Sequence, residues 1–411
     1  MSHLKNFLPA KNSVDHIVIG LGGLGSAAAY WLTKFSGGQS TIVGLEQFNL
    51  GHEKGASHDH SRIIRYSYHT PAYVKLARAA YKAWDDVSKD FGKEIVVKTG
   101  GIDLFPTNCA IPIETYINSL NTERIPYSLL TSKDIMKLYP QFKLQDDVTA
   151  IYQEDTGIAP AQRGTAAHQT LARSNGAILH DCTAVKSIHS SGTKGDDIIV
   201  VTDNVVYHTN SVIICADGWT NELLSSLNFH IPLEVTREQV VYYPGSPESL
   251  KDFEVGKFPV WIWMDNPSYY GFPVYGDLHA VKAAEDVGGE PTTARSRSYE
   301  TNQASLNRLT DFIRQTVPNM LPPSHSSLPP RVKTCLYTLT RDRDFVLDSI
   351  PGHPGVQVAL GAAHGFKFAS WFGRCLAERA IFDGKTDSDI YPFRLDRPAI
   401  TDPNFVGNYI V

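Results

Sequence analysis

The spacing of hydrophobic and polar residues changes several times along the chain. A mostly apolar segment at 16–19 leads into a glycine-rich turn, and the next apolar run, 41–46, closes on an acidic residue. Apolar runs bounded by glycine turns are typical of buried parallel strands, so this opening predicts a strand, a helix and a second strand. Residues 71–91 instead place apolar side chains three or four positions apart, which predicts an amphipathic helix.

The rest of the chain divides into stretches that differ in residue composition and in the spacing of apolar residues. Short β-rich runs separated by polar turns suggest a meander, and aromatic residues then crowd the stretch from 234 to about 330. The final strand, glycine turn and helix repeat the opening pattern, as if completing the same domain. The predicted elements are a helix ending at Ala172, strands at 198–202 and 211–216, a helix at 301–317, a strand at 356–360 and a helix at 368–382.

The glycine turn near the N-terminus has the spacing of a dinucleotide-binding fingerprint. Gly20 and Gly22 allow the backbone to turn tightly against a pyrophosphate, and Gly25 allows the following helix to pack close to the sheet. Glu46, at the end of the second predicted strand, can accept hydrogen bonds from a ribose 2′-hydroxyl and disfavours a 2′-phosphate. The turn therefore predicts FAD or NAD rather than NADP.

Composition narrows the class of protein. The chain has 411 residues, 42% hydrophobic and 20% charged, with a net charge of -5, so it is long enough for two domains and has no basic field for nucleic acid. Its long apolar stretch contains the fingerprint glycines, which argues against a membrane span or signal segment. Five cysteines without metal-ligand spacing argue against a disulfide framework and a zinc site, and fit a reducing compartment.

Three further clusters can carry chemistry. The segment 55–65 contains histidines, a hydroxyl and two arginines, Arg62 and Arg65, which can form bidentate pairs with a carboxylate. Such a loop is also ordinary on a solvated surface. Cys335 alone is more simply a buried core residue, and Lys367 alone is a lysine in a loop.

Taken together and in order, these clusters resemble the monomeric sarcosine oxidase family of flavoproteins, which includes N-methyltryptophan oxidase, pipecolate oxidase and, more distantly, fructosyl-amino-acid oxidases. The likeness covers essentially the whole chain and implies a D-amino-acid-oxidase-like fold. The matching parts are the fingerprint with Glu46, the segment 57–65, Tyr270-Gly-Phe-Pro273 leading to Lys282, Cys335-Leu-Tyr337, and His364-Gly-Phe-Lys367-Phe368.

The resemblance implies FAD as the cofactor. In this family the cysteine that matches Cys335 is bonded through sulfur to the flavin 8α-methyl group, so a covalent FAD is expected. The resemblance also assigns further residues to the cofactor side of the site: His58, Ser61, Arg62, Gly365 and Lys367.

The family's substrate site carries over residue by residue. Arg65 and Lys367 match the cations that bind the amino-acid carboxylate, and Tyr270 and Tyr337 match tyrosines that line the pocket. Two cations on one carboxylate fix the α-carbon over flavin N5, and aromatic walls exclude water. Lys282 matches the lysine that promotes reaction with oxygen, where a fixed positive charge stabilises superoxide. From its residue type alone, Lys282 is equally a solvated lysine at a strand end.

Two acids depart from the family pattern. Asp286 stands four residues after Lys282, where the sarcosine and pipecolate enzymes have a histidine. An acid near the amine favours a substrate with a cationic or hydroxyl-rich side, and fructosyl-amino-acid oxidases also carry acids after their lysine. Sarcosine itself is therefore a doubtful substrate. Asp59 stands where the first motif usually has glycine.

We expect an α/β protein with an FAD-binding Rossmann-type domain and a second α+β substrate domain built on an antiparallel sheet. The FAD-binding domain is predicted to be discontinuous and to contain 1–95, 151–230 and 326–411. The substrate-binding domain is predicted to contain 96–150 and 231–325.

The sequence predicts an FAD-dependent oxidase of secondary amino acids: N-methyl, N-alkyl or cyclic. A hydride passes from the carbon beside nitrogen to flavin N5, water hydrolyses the imine, and O2 becomes hydrogen peroxide. Alternatives are a ring-closing tailoring oxidase, a fructosyl-amino-acid oxidase-like enzyme, a flavin-binding protein without turnover, and a nicotinamide dehydrogenase. The expected partners are the small amine or amino-acid substrate and O2, with no nucleic acid or membrane, for a monomer in the cytoplasm.

Overall fold

The computed structural model describes residues 10–322 and 328–407, and the segments 1–9, 323–327 and 408–411, at ends of the predicted domain ranges, lie outside the described residues. Its strands are β1 (Ala10–Ser13), β2 (His16–Ile19), β3 (Ile42–Leu45), β4 (Arg62–Ile64), β5 (Val97–Lys98), β6 (Gly101–Phe105), β7 (Ser128–Thr131), β8 (Thr149–Gln153), β9 (Gly157–Ala159), β10 (Ile178–His180), β11 (Val185–His189), β12 (Ile198–Thr202), β13 (Val205–Thr209), β14 (Ser211–Ile214), β15 (Glu234–Pro244), β16 (Val260–Trp263), β17 (Ser268–Phe272), β18 (Ala280–Asp286), β19 (Glu290–Pro291), β20 (Arg331–Leu339), β21 (Val346–Ser349) and β22 (Val356–Leu360).

The helices are α1 (Gly23–Ser36), α2 (Pro71–Phe91), α3 (Ile113–Thr122), α4 (Ser132–Leu138), α5 (Ala161–Ser174), α6 (Thr220–Leu224), α7 (Pro247–Leu250), α8 (Gln303–Thr316), α9 (Ala369–Ile381) and α10 (Pro398–Thr401). The helix predicted at 71–91 is confirmed as α2, which begins after Thr70 and ends at Gly92 in a left-handed conformation. Among the described residues, no helix combines the length and apolar character needed to cross a membrane.

One compact unit, called unit 1, consists of the described residues of 1–58, 164–234 and 338–407. Its six-stranded sheet has the order β10-β3-β2-β14-β22-β21, and its neighbours are parallel except for the edge pair β21 and β22. Every residue of β2, β3, β14 and β22 is buried, as expected for parallel strands covered on both faces. Helices α1 and α9 pack against each other beside the sheet.

The predicted meander is right for one of its strands and wrong for the other. Strand β12 lies between β11 and β13 in antiparallel pairing, within a second sheet of order β1-β13-β12-β11. The segment 211–216 instead provides β14, which ends at Ile214 and lies between β2 and β22 of the parallel sheet. The reason is that β14 is buried on both faces, as a strand inside a parallel sheet is. The residues of β12 instead alternate between buried and half-buried.

The second compact unit, called unit 2, includes 59–163 and 235–337. Its large sheet follows the order β19-β15-β18-β17-β16-β6-β8-β7, with β20 also paired to β15. The pairings along this path are antiparallel except for β16 with β6, which confirms a second domain built mainly on an antiparallel sheet. Helix α8 supplies Leu309 and Ile313 to a core that includes Val241 and Val281 of the sheet.

The boundaries of the two compact units differ from the predicted domain boundaries. Residues 59–95, 151–163 and 328–337 cluster with unit 2, although the sequence places them in the FAD-binding domain, and residues 231–234 cluster with unit 1 instead of the substrate domain. The cause is local pairing: β4 pairs with β9, α2 packs against α3, and β20 pairs with β15. The segment that carries Cys335 is therefore a strand of the large antiparallel sheet.

Candidate active site

The glycine positions of the turn between β2 and α1 and of the first turn of α1 leave no room for a side chain. Gly20 has a φ of 87°, a left-handed conformation that favours glycine, and a Cβ there would overlap the carbonyl of Cys215. A Cβ on Gly25 would overlap the carbonyl of Gly20, so α1 packs directly against the turn. Gly22 is the N-cap of α1 and provides no side-chain cap for the helix.

Glu46 follows β3 and is held next to this turn. Its carboxylate accepts hydrogen bonds from the backbone N–H groups of Leu21, at 2.9 Å, and Phe48, at 3.1 Å. His52 Nε2 lies 3.3 Å from the same carboxylate. Burial alone would raise the pKa of Glu46, but the hydrogen bonds from His52, Leu21 and Phe48 lower it. Glu46 is therefore ionised at neutral pH.

This part of unit 1 fits a dinucleotide. A helix N-terminus presents backbone N–H groups and the positive end of a dipole to a diphosphate, and an ionised carboxylate accepts hydrogen bonds from ribose. Ser57 Oγ accepts a hydrogen bond from Gly23 N at 2.8 Å, which is the kind of bond that a phosphate oxygen forms at such a site. The glycines thus allow a close approach to the backbone, and Glu46 places an ionised carboxylate beside the turn, as dinucleotide binding requires.

Three other predicted residues lie in unit 1. His58 is buried and follows Ser57 directly. Gly365 begins the short 3₁₀ turn Gly365–Phe368 that precedes α9. Lys367, in the same turn, is half-buried, and its Nζ lies 5.7 Å from the ring centre of Phe368. The turn therefore holds a cation close to an aromatic face.

In unit 2, Lys282 is a buried lysine on β18, a strand that lies between β15 and β17. Its Nζ donates hydrogen bonds to Asp59 Oδ2 at 2.6 Å, to the Ser61 carbonyl at 3.0 Å and to Ser61 Oγ at 3.2 Å. Burial lowers the pKa of Lys282 to about 8, against the attraction of Asp59. The alternative of a solvated lysine at a strand end is wrong, because only 2% of the side chain is exposed.

The alternation of β18 and its register with β17 place more predicted residues beside Lys282. Lys282, Ala284 and Asp286 lie on one face of the strand, because side chains alternate. Tyr270 on β17 is the partner of Ala284, so it lies on the same face between Lys282 and Asp286. Tyr270, Lys282 and Asp286, which the sequence pattern singles out one after another, therefore lie close together on one face of the sheet.

Strand β20 adds Cys335 and Tyr337 to this cluster. The side chains of Tyr270 and Tyr337 are hydrogen-bonded, and burial raises the pKa of both phenols, so both remain neutral. Cys335 is buried as a thiol, and burial raises its pKa to about 11. The positive charges of Arg62 and Lys282 oppose that shift. Arg62 itself lies 3.8 Å from the carboxylate of Asp59.

Arg65 is buried away from water in an ion pair of its own. Its Nη1 lies 2.9 Å from Asp103 Oδ1 and 3.8 Å from Met264 Sδ, and the guanidinium lies 5.1 Å from the ring centre of Tyr68. Burial would lower the pKa of Arg65, but the attraction of Asp103 raises it overall. Arg65 is therefore a permanent cation whose position depends on Asp103.

Unit 2 thus brings together most of its predicted residues, and sequence reasoning missed two partners. Lys282 and Arg65 each have an acid that the sequence pattern did not assign to them, namely Asp59 and Asp103. A signal for Asp103 exists, because it is the charged residue in the apolar strand β6, Gly101–Phe105. The predicted residues of unit 2 around Lys282 are Ser61, Arg62, Tyr270, Asp286, Cys335 and Tyr337.

Comparisons with known proteins identify the family of the chain. Residues 15–379 match the family model described as FAD dependent oxidoreductase. The chain is 30% identical to monomeric sarcosine oxidase of Streptomyces avermitilis, over 93% of this chain and 97% of that protein. It is 28% identical to N-methyl-L-tryptophan oxidase of Escherichia coli, over 93% of this chain and 99% of that protein.

A solved structure shares the fold. NikD, described as an unusual amino acid oxidase essential for nikkomycin biosynthesis, has a TM-score of 0.81 at 22% identity and covers 93% of this chain and 97% of its own. The predicted fold class and the family resemblance are confirmed. The chain belongs to the family of FAD-dependent oxidoreductases that contains sarcosine oxidase and N-methyltryptophan oxidase.

Proposed function

We propose that the protein oxidises secondary amino acids, with N-methyl, N-alkyl or cyclic amino acids as its substrate class. The observation that carries this proposal is the buried Lys282 on one sheet face with Tyr270 and Asp286. The names of the relatives, sarcosine oxidase and N-methyl-L-tryptophan oxidase, support the substrate class. When bound, FAD supplies the acceptor for the hydride from the carbon beside nitrogen and passes two electrons to O2, which yields hydrogen peroxide.

The residues that hold the cofactor are proposed from the two units separately. Gly20, Gly22 and Gly25 bring the backbone close to the diphosphate, and Glu46 binds ribose. The remaining residues assigned to the cofactor are His58, Ser61, Arg62, Gly365 and Lys367.

Cys335 is proposed to carry the flavin through a thioether to its 8α carbon. The new bond would replace the S–H bond of Cys335 and one C–H bond of the methyl group, and O2 would accept the two hydrogens as hydrogen peroxide. The cations Arg62 and Lys282 favour the thiolate that such a bond requires, although burial disfavours it.

Arg65 and Lys367 are proposed to bind the substrate carboxylate. A guanidinium offers paired N–H donors to a carboxylate, and the bond to Asp103 fixes the orientation of Arg65 before the substrate arrives. Two cations at the site also depress the pKa of the substrate amine, so the amine binds neutral and no side chain has to act as a base. The nitrogen lone pair is then available to assist hydride departure.

Tyr270, Tyr337 and Asp286 are proposed to set the shape and polarity of the substrate site. The two phenols are neutral and hydrogen-bonded to each other, so they form an ordered wall that excludes water. Asp286 acts electrostatically on both phenols. Its carboxylate favours a substrate with a cationic or hydroxyl-rich side, and this observation supports fructosyl-amino-acid oxidase-like activity as the second candidate.

The function is tested on the purified holoprotein in two steps. Acid precipitation first shows whether yellow colour stays with the polypeptide or passes to the supernatant. N-methyl, cyclic and fructosyl amino acids are then compared for peroxide release, with Lys282→Met as the control for the oxygen step. Mass spectrometry of the product separates simple imine hydrolysis from ring closure. Absence of flavin, or of peroxide with all three classes, contradicts the proposal.

The protein is further proposed to act as a monomer in the cytoplasm. The name of the Streptomyces relative, monomeric sarcosine oxidase, supports the first part. All five cysteines are free in the structure, which is consistent with a reducing compartment. Light scattering coupled to size exclusion measures the mass, and fractionation of cells measures the location.

A further inference from the structure

The carboxylate of Asp59 is the ionic partner of Lys282. Both side chains are 2% exposed, and Lys282 Nζ lies 2.6 Å from Asp59 Oδ2. Tyr242 Oη donates a second hydrogen bond to Asp59 Oδ1 at 2.5 Å. Burial would raise the pKa of Asp59, but the charges of Lys282 and Arg62 and the hydrogen bonds hold it well below its usual range. Asp59 is therefore a buried anion at all working pH values.

The backbone of Asp59 adds an independent observation. Its φ is 79°, in the left-handed region that glycine adopts without cost and other residues rarely adopt. Such a conformation is unfavourable for a residue with a Cβ, and it persists where surrounding contacts fix it. The contacts that fix this backbone include the hydrogen bonds of the Asp59 carboxylate with Lys282 and Tyr242.

Lys282 depends on this carboxylate for its charge. A buried ammonium without a counter-ion loses its proton readily, because burial disfavours the charged form. Arg62 also lowers the pKa of Lys282, by repulsion, and Asp59 is the main group that opposes both effects, with a smaller contribution from Cys335. The charged or titratable groups that face the Asp59–Lys282 pair come from three strands: Arg62 on β4, Tyr242 on β15, and Lys333 and Cys335 on β20.

We propose that Asp59 is a positioning residue that keeps Lys282 protonated and fixed, and thereby sets the pH above which this enzyme reacts slowly with oxygen. The inference rests on the proposed function, in which Lys282 supplies positive charge to the oxygen step. Lys282 keeps its proton throughout. In the proposed function oxygen would receive two electrons and one proton from the reduced FAD and a second proton from solvent, and would leave as hydrogen peroxide, so the ion pair is unchanged after each turnover.

The test compares four variants with the wild-type holoprotein, of which Lys282→Met checks the proposed role of the lysine itself. Asp59→Asn removes the charge at nearly constant size, and Asp59→Gly removes it while relieving the backbone. The matched control is Glu285→Gln, which removes a buried carboxylate from β18 that faces Arg308 instead of Lys282. If Asp59→Asn does not fold, Asp59→Gly carries the test, because glycine is favoured at this φ.

Two readouts are taken across pH 6 to 10. Trace acetylation with acetic anhydride, quantified on the Lys282 peptide by mass spectrometry, reports the fraction of neutral amine and needs no turnover. Stopped-flow mixing of anaerobically reduced protein with oxygen reports the rate constant of reoxidation. Loss of an opposite charge at this distance is expected to lower the pKa of Lys282 by about 1 to 3. Reoxidation at slightly alkaline pH should therefore slow by about tenfold or more.

The expected result is a parallel downward shift of both pH profiles in the Asp59 variants and none in Glu285→Gln. Unchanged profiles in a folded Asp59 variant overturn the inference. Lys282→Met separates this failure from failure of the proposed function. If Lys282→Met reoxidises at the wild-type rate, the proposed role of Lys282 is wrong. If it is slow while the Asp59 variants are normal, only the role of Asp59 is wrong.

Discussion

Arg65 donates a hydrogen bond from Nη1 to Oδ1 of Asp103 at 2.9 Å, and the two side chains are 7% and 6% exposed. Removing one member of a buried ion pair leaves the other charge without compensation, which costs about 3–5 kcal/mol. Asp103→Leu should therefore lower the free energy of unfolding by about that amount. The measurement is urea unfolding of the holoprotein at neutral pH.

The double variant Arg65→Met with Asp103→Leu is the control for this pair. Replacing both charges by apolar side chains leaves no buried ion, so the double variant should recover most of the stability that Asp103→Leu loses. It should also bind the substrate carboxylate poorly, seen as a raised KM. Simple additivity of the two single effects would show that the pair is not coupled.

Cys335→Ser should release the flavin when the protein is denatured. The hydroxyl of serine cannot form the thioether proposed for Cys335, while its size is close to that of a thiol. Acid precipitation should leave colour in the wild-type pellet and move it to the supernatant for the variant. Cys375→Ser, which alters another buried free cysteine, should behave as wild type. Colour retained by the Cys335→Ser pellet assigns the attachment to another residue.

Gly25→Ala should disrupt the nucleotide turn. The added Cβ would overlap the carbonyl of Gly20, so α1 has to move away from the turn. Overpacking of this kind costs about 1–3 kcal/mol, and the bound FAD per chain should fall with it. Gly55→Ala is the matched control, since its Cβ would lie at an ordinary 3.6 Å from His52 Cε1. Equal flavin content in both variants refutes the prediction.

His168 should make stability depend on pH. It is fully buried on α5, and burial lowers its pKa from 6.5 to about 3. Between these values the unfolded chain binds a proton that the folded chain excludes, so stability falls as the pH falls. The slope from this residue is about 1.4 kcal/mol per pH unit, and its contribution is constant above pH 6.5.

The variant His168→Gln removes that titration. Between pH 6.5 and pH 4.5 the free energy of unfolding should decrease less for this variant than for the wild type. The measurement is chemical denaturation at both pH values. His180→Gln alters an exposed histidine and should keep the wild-type slope. Parallel curves for wild type and His168→Gln would mean that His168 is protonated in the folded state.

The sequence predicts the parts of this fold that have a regular period or a glycine requirement. The bounds of β2, α2, β12 and β22 follow from apolar spacing alone. The overlap at Gly25 explains why the fingerprint is readable, since no other residue fits there. The sheet to which β14 belongs was missed, because a short apolar run does not say which neighbour it pairs with.

In the site, too, the sequence predicts neighbours on one strand but does not predict contacts between residues far apart in the chain. The grouping of Lys282 with Asp286 follows from spacing along one strand. The partners of Lys282 and Arg65 do not, because Asp59 and Asp103 lie 223 and 38 positions away along the chain. Tertiary packing brings these carboxylates to their cations, Asp59 from the loop before β4 and Asp103 from β6, and the local sequence pattern does not predict such contacts.

Strand β18 is paired on both sides, with β15 and with β17. Lys282 and Glu285 point to opposite faces, and Glu285 binds Arg308 of α8. A slip of one residue would exchange the faces, turning the lysine towards the helix and the glutamate towards the face that now carries Lys282. Substitutions in β18 therefore change the chemistry one group at a time, whereas a single inserted or deleted residue would invert the charge pattern of the site at once.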